Sequence, residues 1–193
     1  MIILIYAHFE GFCKTAFQYY IDYVNKSGAS ISDVKYGLVV GSLDVSFKKL
    51  FDPQYKPKSV SKKLDDDEID FGHERRREFL SDYATSLEKS TSLKQDFIYS
   101  RSNLSSKELK KILYKLELDV SVINSHADDI SNLVKKRNSY VHGELHRYPE
   151  ENETKELKHA AIQTMKTIKK SICSAFDRKD FLKPAGASKV IER

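Results

Sequence analysis

Cysteine is scarce: Cys13 and Cys173 are the only two, both fall inside helix-like patterns, and a disulfide scaffold or a cysteine zinc knuckle is excluded. Long apolar runs are missing as well. The longest, Met1 to Ala7, is far short of the ~18 to 20 residues that span a bilayer, and it lacks the basic flank and small-residue cleavage site of a signal peptide. A reducing cytoplasm is the expected setting. Turn material is thin too, with seven glycines and four prolines in 193 residues, so the stretches between them are long enough for helices. What is present is core and charge together. Hydrophobic residues make up 40% and aromatics 11%, enough for one domain with its own core, while charged residues at 32% exceed the usual quarter or so.

The net charge of +5 is modest for a nucleic-acid binder, so its distribution matters more than its total. Residues 1–64 carry nine basic and five acidic side chains, residues 65–104 six and ten, and residues 105–193 eighteen and thirteen. Both ends are basic and the middle is acidic. A solvated charged exterior explains this as well as a basic binding surface does.

Apolar periodicity throughout is helical, and the fold class read from it is all-α. From Ile2 to about Asn25 nearly every face is apolar, with Phe9, Phe12, Cys13, Ala16, Phe17, Tyr20 and Val24 the densest stripe, which predicts a central, buried helix. Its one polar seam is Glu10, Lys14, Gln18 and Asp22, with Glu10 and Lys14 in the favourable acid-first order. A second helix is expected over about 32–51. A loop-like, mobile segment follows over about 52–73, with Pro53, Pro57 and the acids Asp65 to Glu68. A third helix is expected over about 74–90, starting at Glu74-Arg75-Arg76-Arg77. Ser105 and Glu108 have capping-box spacing and should begin a short helix ending near Leu118. The next spans about 122–142, with Gly143 placed to end it. Acids after Pro149 open the last long helix, which carries Leu157, Ala161, Met165, Ile168, Ile172 and Phe176. One domain over 1–183 and a flexible tail over 184–193 are the expected organisation.

Chemistry concentrates in Lys135-Lys136-Arg137-Asn138-Ser139-Tyr140-Val141-His142-Gly143-Glu144, with His146 and Arg147 just beyond. Asn138 and His142 share a helix face, so the amide is placed to hold the imidazole. An arginine fork matches phosphate oxygens in two-point contact, and histidine can take or give a proton near neutrality. RNA supplies its own nucleophile, the 2′-OH, so this pair suffices to cleave it. Spacing alone also allows a bland outcome, in which Arg137 and His142 cap the helix and pair with acids such as Glu144. Elsewhere, Glu10 is a charge on an apolar helix and should find a cation, Lys14 or Arg137, with His8 beside it. No set of His8, His126, His142 and His146 has zinc-motif spacing, and Cys13 and Cys173 read as buried thiols.

Arg137-Asn138-x-x-x-His142 followed by Gly143 resembles the Arg-x4-6-His motif of the HEPN superfamily (higher eukaryotes and prokaryotes nucleotide-binding). Tyr6-Ala7-His8-Phe9-Glu10-Gly11-Phe12 is similar to the first-helix signature of a bacterial HEPN nuclease-like branch. Ser102-Asn103-Leu104 and the Leu133-Val134 lead-in to the motif are similar to that branch too, and the resemblance spans roughly residues 3–175. It implies an all-α bundle of four to five helices that dimerises, with two motifs facing one cleft. It also implies a metal-independent, cofactor-free endoribonuclease, a toxin or phage-defence effector, with an antitoxin or defence-system protein as a further partner. Arg137, Asn138 and His142 are then the catalytic set, Glu10, His8 and Lys14 an ion-pair group behind it, and Lys135, Lys136, Tyr140 and Arg147 contacts to RNA, with Tyr148 near them. Glu144 stands where toxins paired with a nucleotidyltransferase antitoxin carry tyrosine, which argues against that pairing. The chain begins inside the first-helix signature, so the expectation is that a preceding helix is missing or supplied otherwise. Two alternatives are a non-catalytic HEPN module that binds a nucleotide or a protein, and a helical interaction domain with no nucleic-acid role.

Overall fold

The computed structural model describes residues 1–57, 69–98, 103–143 and 150–184. Among them are seven α-helices: α1 (Ile2–Lys26), α2 (Tyr36–Ser42), α3 (Asp44–Phe51), α4 (Phe71–Ser86), α5 (Ser106–Lys115), α6 (Ala127–Val141) and α7 (Glu151–Arg178). Short 3-10 segments stand at Gln95–Phe97 and Val120–His126. The chain is all-α, and among the described residues no helix is long and apolar enough to cross a membrane.

α1 is the spine. Its Phe9, Cys13, Phe17, Tyr20 and Val24 are fully buried, and they pack with Leu133 of α6 and Ile168 of α7 in one core. Each fully buried aromatic or aliphatic side chain contributes about 1.5–3 kcal/mol, so this seam outweighs any single polar contact in the molecule. Tyr23 packs against Phe176 with the rings tilted by 32° and 4.2 Å between centroids, which ties α1 to α7. The helix is not enclosed all round, however. Ile3, Leu4 and Tyr19 are exposed, because α6 and α7 cover only the Phe9–Phe17 side. The polar seam forms as its spacing predicts: Lys14 pairs with Glu10 at 3.0 Å and Gln18 donates to Asp22 at 2.7 Å.

Several boundaries differ from the expected ones. The predicted helix over 32–51 is two helices, broken at Leu43 (φ −99°, ψ 10°). Gly41 precedes the break and lies so close to Leu93 and Phe97 that a Cβ there would meet them at 2.6–2.7 Å, so the position needs a residue without a side chain. α4 starts earlier than expected, because Asp70 caps it by accepting from the His73 N–H at 2.9 Å, and it also ends earlier, at Ser86. None of its residues is buried, and it packs on α3 through Phe79 against Phe47 at 4.9 Å. Arg75 donates to the Pro53 and Tyr55 carbonyls, which ties residues 53–55 to this helix. The rest of the expected mobile stretch, 58–68, lies outside the described residues, as does the tail 185–193.

Toward the site the predicted signals appear where expected. Ser105 caps α5 by accepting from the Glu108 N–H at 3.3 Å. α6 starts later than predicted, after a 3-10 segment, and ends with His142 as C-cap and Gly143 at φ +70°, a conformation glycine adopts without a Cβ penalty. Cys13 is buried as expected. Cys173 is exposed, because it lies beside the stripe of Ile168, Ile172 and Ala175 that α7 turns inward.

Candidate functional site

Three separate parts of the chain converge at the C-terminal half of α6. Arg137 directs Nη1 to the side-chain oxygen of Asn138 at 3.0 Å and to that of Asn103 at 3.3 Å. Asn103 in turn donates its Nδ2 to the Asn138 oxygen at 3.0 Å. The guanidinium carbon lies over the Tyr6 ring of α1, 5.2 Å from its centroid, in cation–π arrangement. The Tyr6 hydroxyl accepts the Leu104 backbone N–H at 2.8 Å, the residue next to Asn103. The convergence follows from the packing: α1 and α6 share the core, and the chain enters α5 across their upper ends.

Electrostatics at the site are those of a held cation. Burial, first of all, pushes the Tyr6 hydroxyl above the ordinary phenol range; the Leu104 N–H pulls it back, Glu10 raises it further and the Arg137 charge lowers it. Tyr6 is therefore a neutral acceptor near pH 7. Burial, reinforced by Glu10, also raises the Cys13 thiol well above its usual range, which leaves it inert beneath the site. Among the described residues Arg137 has no carboxylate within ion-pair distance, and Glu10 is occupied by Lys14.

Hydrogen-bond capacity shows what the cluster offers a ligand. The oxygen of Asn138 accepts two bonds and that of Asn103 one, while Arg137 spends only its Nη1 on them. Among the described residues, the guanidinium Nε and Nη2 and the Asn138 amide nitrogen have no hydrogen-bond acceptor. Donors are in surplus beside a positive charge, which suits an oxyanion.

The predicted site residues divide as follows. Arg137 and Asn138 are together and half-buried. His142 is exposed at the helix end, about 7.5 Å further along the axis by helical rise. Its backbone N–H bonds the Asn138 carbonyl at 2.9 Å, but the Asn138 side chain does not hold its ring as predicted. Side chains on a helix lean toward its N-terminus, and a guanidinium donor makes the stronger bond, so the amide oxygen goes to Arg137 and Asn103. Glu10 pairs with Lys14 rather than Arg137, and His8 points to solvent on α1. Lys135 is exposed, Lys136 is paired with Glu153 of α7, and Tyr140 is half-buried against the core. Glu144, His146, Arg147 and Tyr148 lie outside the described residues. Among the described residues, no three His, Cys, Asp or Glu side chains are grouped to hold a metal ion.

Two residues of this cluster, Tyr6 and Asn103, were not among the predicted site residues. Each lies in a segment that resembles the HEPN branch, Tyr6 at the start of the first-helix signature and Asn103 in Ser-Asn-Leu, and that was their only signal. A family model described as RiboL-PSP-HEPN matches residues 1–174, a span that includes Tyr6, Asn103, Arg137, Asn138 and His142. The chain belongs to this HEPN family. No curated protein and no solved structure matches it.

Proposed function

We propose that this HEPN protein is a metal-independent, cytoplasmic endoribonuclease, acting as a homodimer in the manner of a toxin or phage-defence effector. The observation that carries the reading is the Arg137 guanidinium, fixed by two neutral amides on an aromatic floor with no carboxylate paired to it among the described residues, and a solvent-facing histidine at the end of the same helix. In the mechanism, His142 removes the proton of a ribose 2′-OH, and the oxygen attacks the adjacent phosphorus. A bond forms from the 2′ oxygen to phosphorus, and the bond to the 5′ oxygen breaks. Arg137 stabilises the charge that develops on the non-bridging oxygens, a role worth typically ~3 to 4 kcal/mol per donor. Asn138 holds Arg137. His142 of the partner subunit protonates the leaving 5′ oxygen, so the ends are a 2′,3′-cyclic phosphate and a 5′-OH.

The exposed apolar side chains of α1, Ile3, Leu4 and Tyr19, favour association of two copies. Lys135 and Arg147 would then contact phosphate, and Tyr140 and Tyr148 would stack on unpaired bases. An antitoxin or another defence-system protein would control the activity.

Purified protein is incubated with total RNA in EDTA, beside Arg137→Ala and His142→Ala. Cleavage by the parent alone is the expected result; cleavage that EDTA abolishes, or that survives in both variants, sinks the scheme. A non-catalytic HEPN module would bind RNA or a nucleotide under the same conditions and leave it intact.

A further inference from the structure

We infer that Tyr6 and Asn103 are positioning residues: the Tyr6 hydroxyl fixes the Leu104 backbone, Asn103 is thereby set in place, and its amide aims the Arg137 fork without neutralising it. The inference rests on the ribonuclease reading of the site.

An arginine this far into a protein is ordinarily paired with a carboxylate, which satisfies its donors but cancels its field. Here the two acceptors are amide oxygens, at 3.0 and 3.3 Å, and the neighbouring acid, Glu10, is drawn off by Lys14. Geometry is gained and the charge is kept. Asn138 alone does not suffice, since it lies on the same helix as Arg137 and moves with it. Asn103 comes from another part of the chain and gives the guanidinium a second, independent anchor. Its own position is held by two bonds, as its carbonyl accepts the Ser105 N–H at 2.9 Å and the next residue's N–H is bonded to Tyr6. Tyr6 therefore acts on Arg137 twice, through its ring directly and through its hydroxyl by way of Leu104 and Asn103.

This arrangement has a signature that a purely structural role lacks. Asn103→Asp is isosteric and gives up the Nδ2 bond to Asn138 for a charge-assisted bond to Arg137, whereas Asn103→Ala loses both, so on structural grounds the aspartate should be no worse than the alanine. If the neutral amide matters, the order inverts, because the new carboxylate captures the fork that phosphate must reach.

The test uses full-length protein in EDTA. A fluorescent 2′-O-methyl oligonucleotide, which cannot be cut, reports binding by anisotropy, and total RNA reports cleavage; thermal melting confirms that each variant is folded. Asn103→Ala should lower cleavage about 10-fold, and Asn103→Asp at least about 10-fold more, with weaker oligonucleotide binding, given the strength of a charge-assisted pair. Tyr6→Phe, which keeps the ring, should lower cleavage about 3- to 10-fold in the parent and have little further effect in Asn103→Ala, the coupling expected of residues in one network. The inference is overturned if Asn103→Asp equals or exceeds Asn103→Ala, or if the Tyr6→Phe and Asn103→Ala losses multiply. Were Arg137→Ala to bind and cleave like the parent, the ribonuclease reading itself would fall, and this inference with it. Loss in Arg137→Ala with no loss in either Asn103 variant overturns the inference alone.

Discussion

Arg137 and His142 stand five residues apart at one end of α6, yet their surroundings are opposite. The guanidinium lies on a buried tyrosine and is tied to two amides from different parts of the chain. The imidazole is exposed at the helix end, where, among the described residues, the backbone N–H is bonded and the ring is not. A charge stabiliser works best when its dipoles are oriented before the substrate arrives. A proton carrier must reach a substrate atom, give the proton up and be reset, so an exposed position costs it less. The difference teaches that one motif can be half scaffold and half moving part, and it divides the predictions.

Both ends should matter equally for activity. Arg137→Ala should lower cleavage of RNA about 10²- to 10³-fold and His142→Ala about 10²- to 10⁴-fold, measured as initial rates on one substrate. The ends separate when stability is measured. Tyr6→Ala, which removes the floor beneath Arg137, should cost about 3–5 kcal/mol in denaturant melts. Tyr6→Phe should cost about 1–3 kcal/mol, the penalty of leaving the buried Leu104 N–H without its acceptor. His142→Ala should stay within about 0.5 kcal/mol, as surface changes do. If His142→Ala proved as destabilising as Tyr6→Phe, the contrast between the two ends would collapse.

Alkaline pH should act on the buried end. The folded pKa values of Tyr6, Cys13 and Tyr20 are all raised, chiefly by burial. Below the ordinary thiol and phenol ranges these groups are protonated in both states, and the stability is fully present. Above roughly 8.5 for the thiol and roughly 10 for the phenols the unfolded chain ionises first, and from there stability falls by about 1.4 kcal/mol per pH unit for each group until its folded form ionises too. The melting temperature should therefore drop over that range, and Cys13→Ala should remove its first part. A flat profile would contradict the burial described for these groups.

Much of this was legible in the sequence, for reasons that locate what was not. Ser105, Gly143, the Glu10–Lys14 pair and the helical stripe of α7 are local signals, set within a few residues, and they appear in the structure. The break at Leu43 was hidden because no proline or glycine stands at that residue, and the close approach of Gly41 to Leu93 and Phe97 joins parts of the chain far apart in sequence. α1 looked enclosed because hydropathy counts apolar faces and cannot count the helices available to cover them. The site divides in the same way. Arg137, Asn138 and His142 are neighbours in sequence and can be read as one motif, whereas Tyr6 and Asn103 meet Arg137 and Asn138 only through tertiary contacts. A tyrosine in an apolar helix reads as core, and nothing near it in sequence indicates that its hydroxyl meets an amide 98 residues away.

The most direct test is the chemistry of the cut. A DNA oligonucleotide containing a single ribonucleotide is incubated with the protein in EDTA, and the products are identified by mass spectrometry. The account predicts one cut, immediately after the ribonucleotide, leaving a 2′,3′-cyclic phosphate and a 5′-OH, and no cut in either Arg137→Ala or His142→Ala. Cleavage at deoxynucleotides, or ends that never pass through the cyclic phosphate, would contradict it.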